Sequence, residues 1–239
     1  MEVSPIILLC AALLPAVILM LFILRRDSKH PEPIGQLVRA FFFGVLSIPV
    51  SQLFSTPLMM SGLLPEYHDA FTATLFSFGA AAIPEELGKF IMLWLFLRKN
   101  KEYDEHVDGV VYAVCIGLGF AAVENIMYLF GSGEDWFGTA VARGLLSVPG
   151  HFFFAVLMGY YYSLVHFGHD NMRNRVFVLG APILAHGIYD AICMTLEVAP
   201  AYQGLLAIAL LLFCNELRKL GTRHIRELVE ADNIYNHLT

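Results

Sequence analysis

Residues 70–97, AFTATLFSFGAAAIPEELGKFIMLWLFL, decide how the chain is read. The run exceeds the roughly 20 apolar residues that a membrane-crossing helix needs. It nevertheless carries Glu85, Glu86 and Lys89 near its middle. A charge at bilayer depth costs about 2.5–3.5 kcal/mol on insertion scales, so such residues persist where they pair or line a functional cavity. Three of them within five positions point to a site.

Composition agrees with a membrane solvent. Of 239 residues, 57% are hydrophobic and 15% charged, with a mean hydropathy of +0.63. The apolar share exceeds the roughly 45–50% of a soluble domain. An all-α polytopic membrane protein is expected, forming a single membrane-embedded domain over residues 1–239, with the bilayer and no nucleic acid as its surroundings. The net charge of −6 names no partner, because the charges are sorted by position. Cys10, Cys115, Cys193 and Cys214 all fall in apolar runs without metal-type spacing and read as small buried hydrophobes with no disulfides.

Apolar runs fall at about 5–24, 34–53, 70–97, 107–130, 149–167, 176–196 and 202–213, giving about seven transmembrane helices. The first run lacks a basic leader, is longer than a signal-peptide core and is followed by Arg25-Arg26, so it reads as a retained anchor. Basic residues recur after alternate runs: Arg25, Arg26 and Lys29; Arg98, Lys99 and Lys101; Arg173 and Arg175; Arg218, Lys219, Arg223 and Arg226. The positive-inside rule then places the N-terminus outside and the C-terminus in the cytoplasm. Ser147-Val148-Pro149-Gly150 reads as a break that separates a short outer-leaflet helix, about 136–148, from the next span. Arg143 on that piece would be interfacial or turned toward a buried carboxylate. Residues 215–239 form a tail with helical charge alternation, expected as a separate cytoplasmic helix, and leave a catalytic core of about 70–196.

With everything explained by loops removed, the polar residues left inside the spans are Glu85, Glu86, Lys89, Glu124, Asn125, His151, His186 and Asp190. Counted from the run ends they reach similar depths, so one cavity in the middle to outer half of the membrane is the economical arrangement. Either glutamate can pair with Lys89, at i+4 or i+3, and His186 and Asp190 share a face. Pro84 would loosen the backbone, and Gly88 would let a neighbouring helix approach. The stripe of Phe41 to Phe43, Phe152 to Phe154 and Tyr160 to Tyr162 reads as packing or lipid contact. Each polar group could serve structure alone, as a clamp or interhelical hydrogen bond, but then each would carry its own insertion cost.

No GxSxG and no membrane-embedded HExxH is present. The inventory suits water activation: Glu85 or Glu86 as general base, Glu124 and His186 completing a metal site or the acid/base set, His151 as a ligand or oxyanion donor, Asp190 orienting His186, and Lys89 holding the carboxylates ionised or stabilising developing charge. Glu86, Glu124, His151 and His186 are also candidate ligands for Zn²⁺. A metal-free glutamate mechanism and a metallohydrolase both stay open. The rival class is a proton- or cation-coupled transporter, since the same residues build proton relays; no inverted repeat or pair of broken helices favours it.

Four linked motifs carry a resemblance. Glu85-Glu86-x-x-Lys89, Asp108-Gly109-Val110-Val111-Tyr112 leading to Gly119-Phe120-x-x-x-Glu124-Asn125, the Arg143 to His151 stretch, and His186-Gly187-x-Tyr189-Asp190 resemble the PrsW family of bacterial intramembrane proteases over about 71–194. The resemblance implies a polytopic endopeptidase related to the type II CAAX prenyl endopeptidases, which have a histidine where this chain has Glu124. It further implies a membrane-spanning protein substrate, with site-1 cleavage of an anti-sigma factor as the expected reaction.

Overall fold

The computed structural model describes residues 3–25 and 31–238. Arg26 and Lys29, two of the cations used to orient the chain, lie outside them. The described residues are helical and contain no strand: α1 (Pro5–Leu24), α2 (Ile34–Met60), α3 (Ala70–Phe76), α4 (Ile83–Leu97), α5 (His106–Gly131), α6 (Trp136–Ala142), α7 (Val148–His166), α8 (Met172–Val198) and α9 (Gln203–Leu238).

Six stretches are long and apolar enough to cross a membrane: Pro5–Leu24, Ile34–Met60, His106–Gly131, Gly133–His166, Met172–Val198 and Pro200–Ile234. The remaining expected crossing, 70–97, is also unbroken helix, built from α3, the π-helical segment Ser77–Ala82 and α4, and it carries the three charges.

The structure corrects three expectations. The chain does not break at Ser147-Val148-Pro149-Gly150: α6, a π-helical segment Arg143–Ser147 and α7 run on as one helix, so there is no separate outer-leaflet helix. A proline inside a helix removes one donor and crowds the carbonyl four residues back. For Pro149 that carbonyl belongs to Leu145, inside the π-helical segment, whose wider turn accommodates the ring without ending the helix. Pro84 stands in the same relation to Ala80 and the segment Ser77–Ala82. Second, the expected tail helix is continuous with the last span as the 36-residue α9. Third, of the four free cysteines only Cys115 is fully buried, while Cys10 is exposed on α1.

Helix α5 is the axis of the molecule, buried along most of its length and wrapped by α1, α2, α4, α7 and α9. In lipid, helices gain little from hiding apolar surface against one another, so close backbone approach and packing hold them together. Glycines permit that approach on two sides of α5. A Cβ on Gly44 of α2 would lie 2.0 Å from the Ile116 carbonyl oxygen, and one on Gly159 of α7 would lie 2.5 Å from that of Gly109. Exposed Ile6, Leu14, Val17, Phe42, Leu53, Leu205, Ile208 and Leu212 cover α1, α2 and α9. That distribution inverts a soluble protein and marks the lipid-facing surface.

Candidate active site

The polar residues of α4, α5, α7 and α8 meet in one interior cluster. The first turn of α4 carries Glu85 and Glu86, with Lys89 one turn on. Lys89 Nζ donates to Glu86 Oε1 at 2.8 Å and to Glu85 Oε2 at 3.4 Å, as the spacing predicts. Glu86 is 0% exposed and Lys89 3%. The ammonium also sits 4.0 Å from the centroid of Phe120, a cation–π contact that partly replaces lost hydration. Gly88 faces α2, where a Cβ would lie 2.9 Å from the Ser47 carbonyl oxygen, so its lack of a side chain seats α4.

His186 of α8 is held from both ring nitrogens. Nδ1 donates to Glu86 Oε1 at 2.9 Å, while Nε2 lies 3.2 Å from Asp190 Oδ2 and 3.9 Å from Glu85 Oε2. The expected His186–Asp190 pairing is therefore present, with Glu86 added on the opposite side. Phe154 stacks on the imidazole at 4.8 Å and 17°. Gly187 lets the π-helical segment come close: a Cβ there would lie 2.4 Å from the Phe78 ring, and Ser77 Oγ donates to the Gly187 carbonyl at 3.1 Å.

His151 of α7 bridges the two halves of the cluster. Lys89 Nζ lies 3.1 Å from its Nδ1, and its Nε2 lies 2.9 Å from Glu124 Oε2. An ammonium can only donate and a carboxylate only accept, so this network assigns the neutral tautomer with Nε2–H pointing at Glu124. Glu124 is in turn gripped by Arg143 Nη2 at 2.7 Å. The same guanidinium donates through Nε to Asn125 Oδ1 at 2.9 Å and lies 3.9 Å from the Tyr128 ring centroid. Asn125 Nδ2 donates to the Ala12 carbonyl of α1 at 2.8 Å. Of the two placements expected for Arg143, the buried-carboxylate one is observed.

All eight sequence-selected residues, Glu85, Glu86, Lys89, Glu124, Asn125, His151, His186 and Asp190, thus belong to one connected network. The atoms able to share a metal form a narrower set: ligand atoms of Glu85, His151 and His186 lie within 4.8 Å of one another. Glu86 and Glu124 are outside that set, with Glu86 Oε1 engaged by Lys89 and His186 and Glu124 Oε2 by His151 and Arg143. One carboxylate with two imidazoles matches in kind the His₂Glu ligation of hydrolytic zinc sites. The charge inventory agrees, because among the described residues Glu85, Glu86, Glu124 and Asp190 face two fixed cations, Lys89 and Arg143. Glu86 Oε2 is buried with no hydrogen-bond partner among the described residues.

Sequence reading passed over four contributors. Arg143 appeared only as a residue with two possible placements. Phe154 reads from sequence as packing, Phe120 and Tyr189 enter only within the resemblance motifs, and Ser147, which shares a 2.9 Å hydrogen bond with Tyr189, enters as part of the expected break. Helical spacing carries the missing signal: Phe120 is four residues before Glu124 and Phe154 three after His151, which puts each on its partner's face.

Comparison with known proteins agrees with this geometry. The model of the PrsW family intramembrane metalloprotease matches residues 32–214. Protease PrsW of Geobacillus kaustophilus (strain HTA426) is 33% identical over 207 residues, covering 85% of this chain and 87% of its own. Protease PrsW of Clostridioides difficile (strain 630) is 33% identical over 187 residues, 77% of each chain. Protease PrsW of Bacillus subtilis (strain 168) is 32% identical over 193 residues, 80% of this chain and 84% of that protein. No solved structure matches. The transporter alternative finds no support. On the breadth of these matches and on a multi-pass helical architecture, the chain belongs to the PrsW family of intramembrane metalloproteases.

Proposed function

We propose that this protease hydrolyses a peptide bond of a membrane-spanning protein at the Glu85/Glu86/His151/His186 cluster, with Glu85, His151 and His186 holding a divalent ion, Zn²⁺ by donor type. The observation that carries the reading is the convergence of those three ligand atoms beside two further carboxylates. A bound ion supplies Lewis-acid activation of the water and the scissile carbonyl. Glu86 is the general base. Its Oε1 is pinned by Lys89 and His186, while Oε2 is free to take a proton from the attacking water and later deliver it to the departing amine. Lys89 opposes the negative charge that develops on the carbonyl oxygen. Glu124 acts through His151 and Glu86 Oε1 through His186 Nδ1, each a carboxylate on the far side of an imidazole that fixes its orientation and raises its basicity, while Asp190 orients His186 from the Nε2 side.

The alternation of basic segments supports a bacterial inner-membrane location with the N-terminus outside and the C-terminus cytoplasmic. It puts the cluster in the middle to outer half of the bilayer, which suits first-site cleavage of an anti-sigma factor near its outer face. The test is cleavage of a membrane-spanning model substrate by the purified protein in liposomes, combined with metal analysis. Stoichiometric zinc that leaves together with activity under chelation is the expected result. Full activity in metal-free protein would overturn the metal assignment and leave the glutamate mechanism. Undiminished cleavage by Glu86→Gln and His186→Ala would overturn the site itself.

A further inference from the structure

Outside the catalytic cluster, α9 presents Lys219, Arg223 and Arg226 at i, i+4 and i+7, hence on one face. All three are exposed. Together they edge a groove of about 730 Å³ between α7, α8 and α9, whose floor is apolar and includes Leu157, Ala181, Phe213 and Leu220. Lys219 is paired with Glu216 at 2.7 Å, whereas Arg223 and Arg226 form no ion pair among the described residues. The cations begin about 9 Å of helix beyond Phe213, where the apolar half of α9 gives way to its charged half.

We propose that this groove holds an anionic phospholipid, its acyl chain along the Leu157–Ala181–Phe213 floor and its phosphate against Arg223 and Arg226. Three features together specify that occupant. The floor demands an apolar chain, and the rim demands an anion at the boundary of the bilayer. Glu227, near Arg223, has its Oε2 engaged by Tyr160 and His224, and neither arginine is in a salt bridge among the described residues, which leaves positive charge at the rim for a phosphate to neutralise. A substrate's transmembrane helix fits the rim poorly. In the orientation proposed above, its own cytoplasmic flank is enriched in Lys and Arg, which would face Arg223 and Arg226 as like charges. The site is independent of the cleavage chemistry and would tie the α7–α8–α9 packing to the lipid composition of the membrane.

The test uses the full chain in mild detergent, loaded with phosphatidylglycerol, phosphatidylcholine or inorganic phosphate, and read by native mass spectrometry and by thermal shift. The expected result is preferential retention of phosphatidylglycerol and a higher Tm with it alone, with the preference falling roughly fivefold for each arginine removed in Arg223→Gln and Arg226→Gln. Arg223→Lys with Arg226→Lys keeps the preference, and Ala181→Phe, which fills the floor, lowers retention of either lipid. Equal retention of the two lipids overturns the proposal, as does an unchanged preference in the double glutamine variant. Stabilisation by inorganic phosphate equal to that by the lipid would make this a free-anion site. Loss of cleavage in Ala181→Phe in phosphatidylcholine-only liposomes, with phosphatidylglycerol retention unchanged, would assign the groove to the substrate helix.

Discussion

At the scale of single residues, the proposed chemistry assigns some groups of the cluster to the reaction and others to aiming them. Glu86→Gln keeps the shape and the contacts of Oε1 but abolishes proton acceptance at Oε2, so kcat should fall at least about 10²-fold with little change in KM. Steady-state cleavage in liposomes measures this, and zinc content should stay at wild-type level because Glu86 is not in the converging ligand set. Arg143 touches no reacting atom; it holds Glu124, which holds His151. Arg143→Gln should therefore act like the loss of an outer-shell partner, lowering metal affinity and activity together by about 10–100-fold. Lysine should restore only part of this, because it cannot bind Glu124 and Asn125 at once. Chelator competition against activity separates the two variants: unchanged metal affinity in Arg143→Gln would contradict the positioning role.

At the scale of elements, the fold rests on close crossings and on polar tethers at the helix ends. Gly44→Val would drive a branched side chain into the Ile116 carbonyl. Overpacking of this kind costs about 1–3 kcal/mol, so a lower Tm in detergent is expected. Asp232, near the end of α9, accepts from the backbone N–H groups of His106 at 2.8 Å and Val107 at 2.9 Å, capping α5 from another helix. That tether explains why the tail continues the last span and docks against α5. The segment before α2 is tethered too, through a hydrogen bond from Tyr112 Oη to Glu32. Burial raises the Glu32 pKa above its ordinary value of 4.5, with Asp104 and Glu102 adding in the same direction and the Tyr112 hydrogen bond opposing. A raised carboxyl pKa in the folded state stabilises below the ordinary value, and that contribution is lost as pH rises through the folded pKa. Glu32→Gln should match wild-type Tm below about pH 4.5 and exceed it as pH rises above that value. A constant difference across that range would remove Glu32 from the account.

At the scale of the whole molecule, orientation and metal dependence are the properties to measure. Reporter fusions should give a cytoplasmic signal at the C-terminus and an extracytoplasmic one at the N-terminus, following the basic segments. Chelation should stop cleavage without unfolding the bundle, because the crossings around α5 are held by glycine-mediated backbone packing rather than by the ligand side chains.

Sequence by itself determined the solvent, the helical class and the eight polar residues of the site, because a charge placed in hydrocarbon is costly enough to stand out one residue at a time. It could read pairs within one helix, Glu86 with Lys89 and His186 with Asp190, since helical periodicity makes them neighbours. Only the tertiary structure decided the rest. It turned Glu86 toward His186, gave Glu124 to His151 and Arg143, placed Glu85 with the two histidines, and carried helices through Pro84 and Pro149 on π-helical turns. Those outcomes depend on how α4, α5, α7 and α8 are rotated relative to one another, and the rotations are set by glycine contacts and wider turns that leave no periodic trace along the chain. The opening stretch supplied the charges, and the helices packed around it determined which of those charges meet.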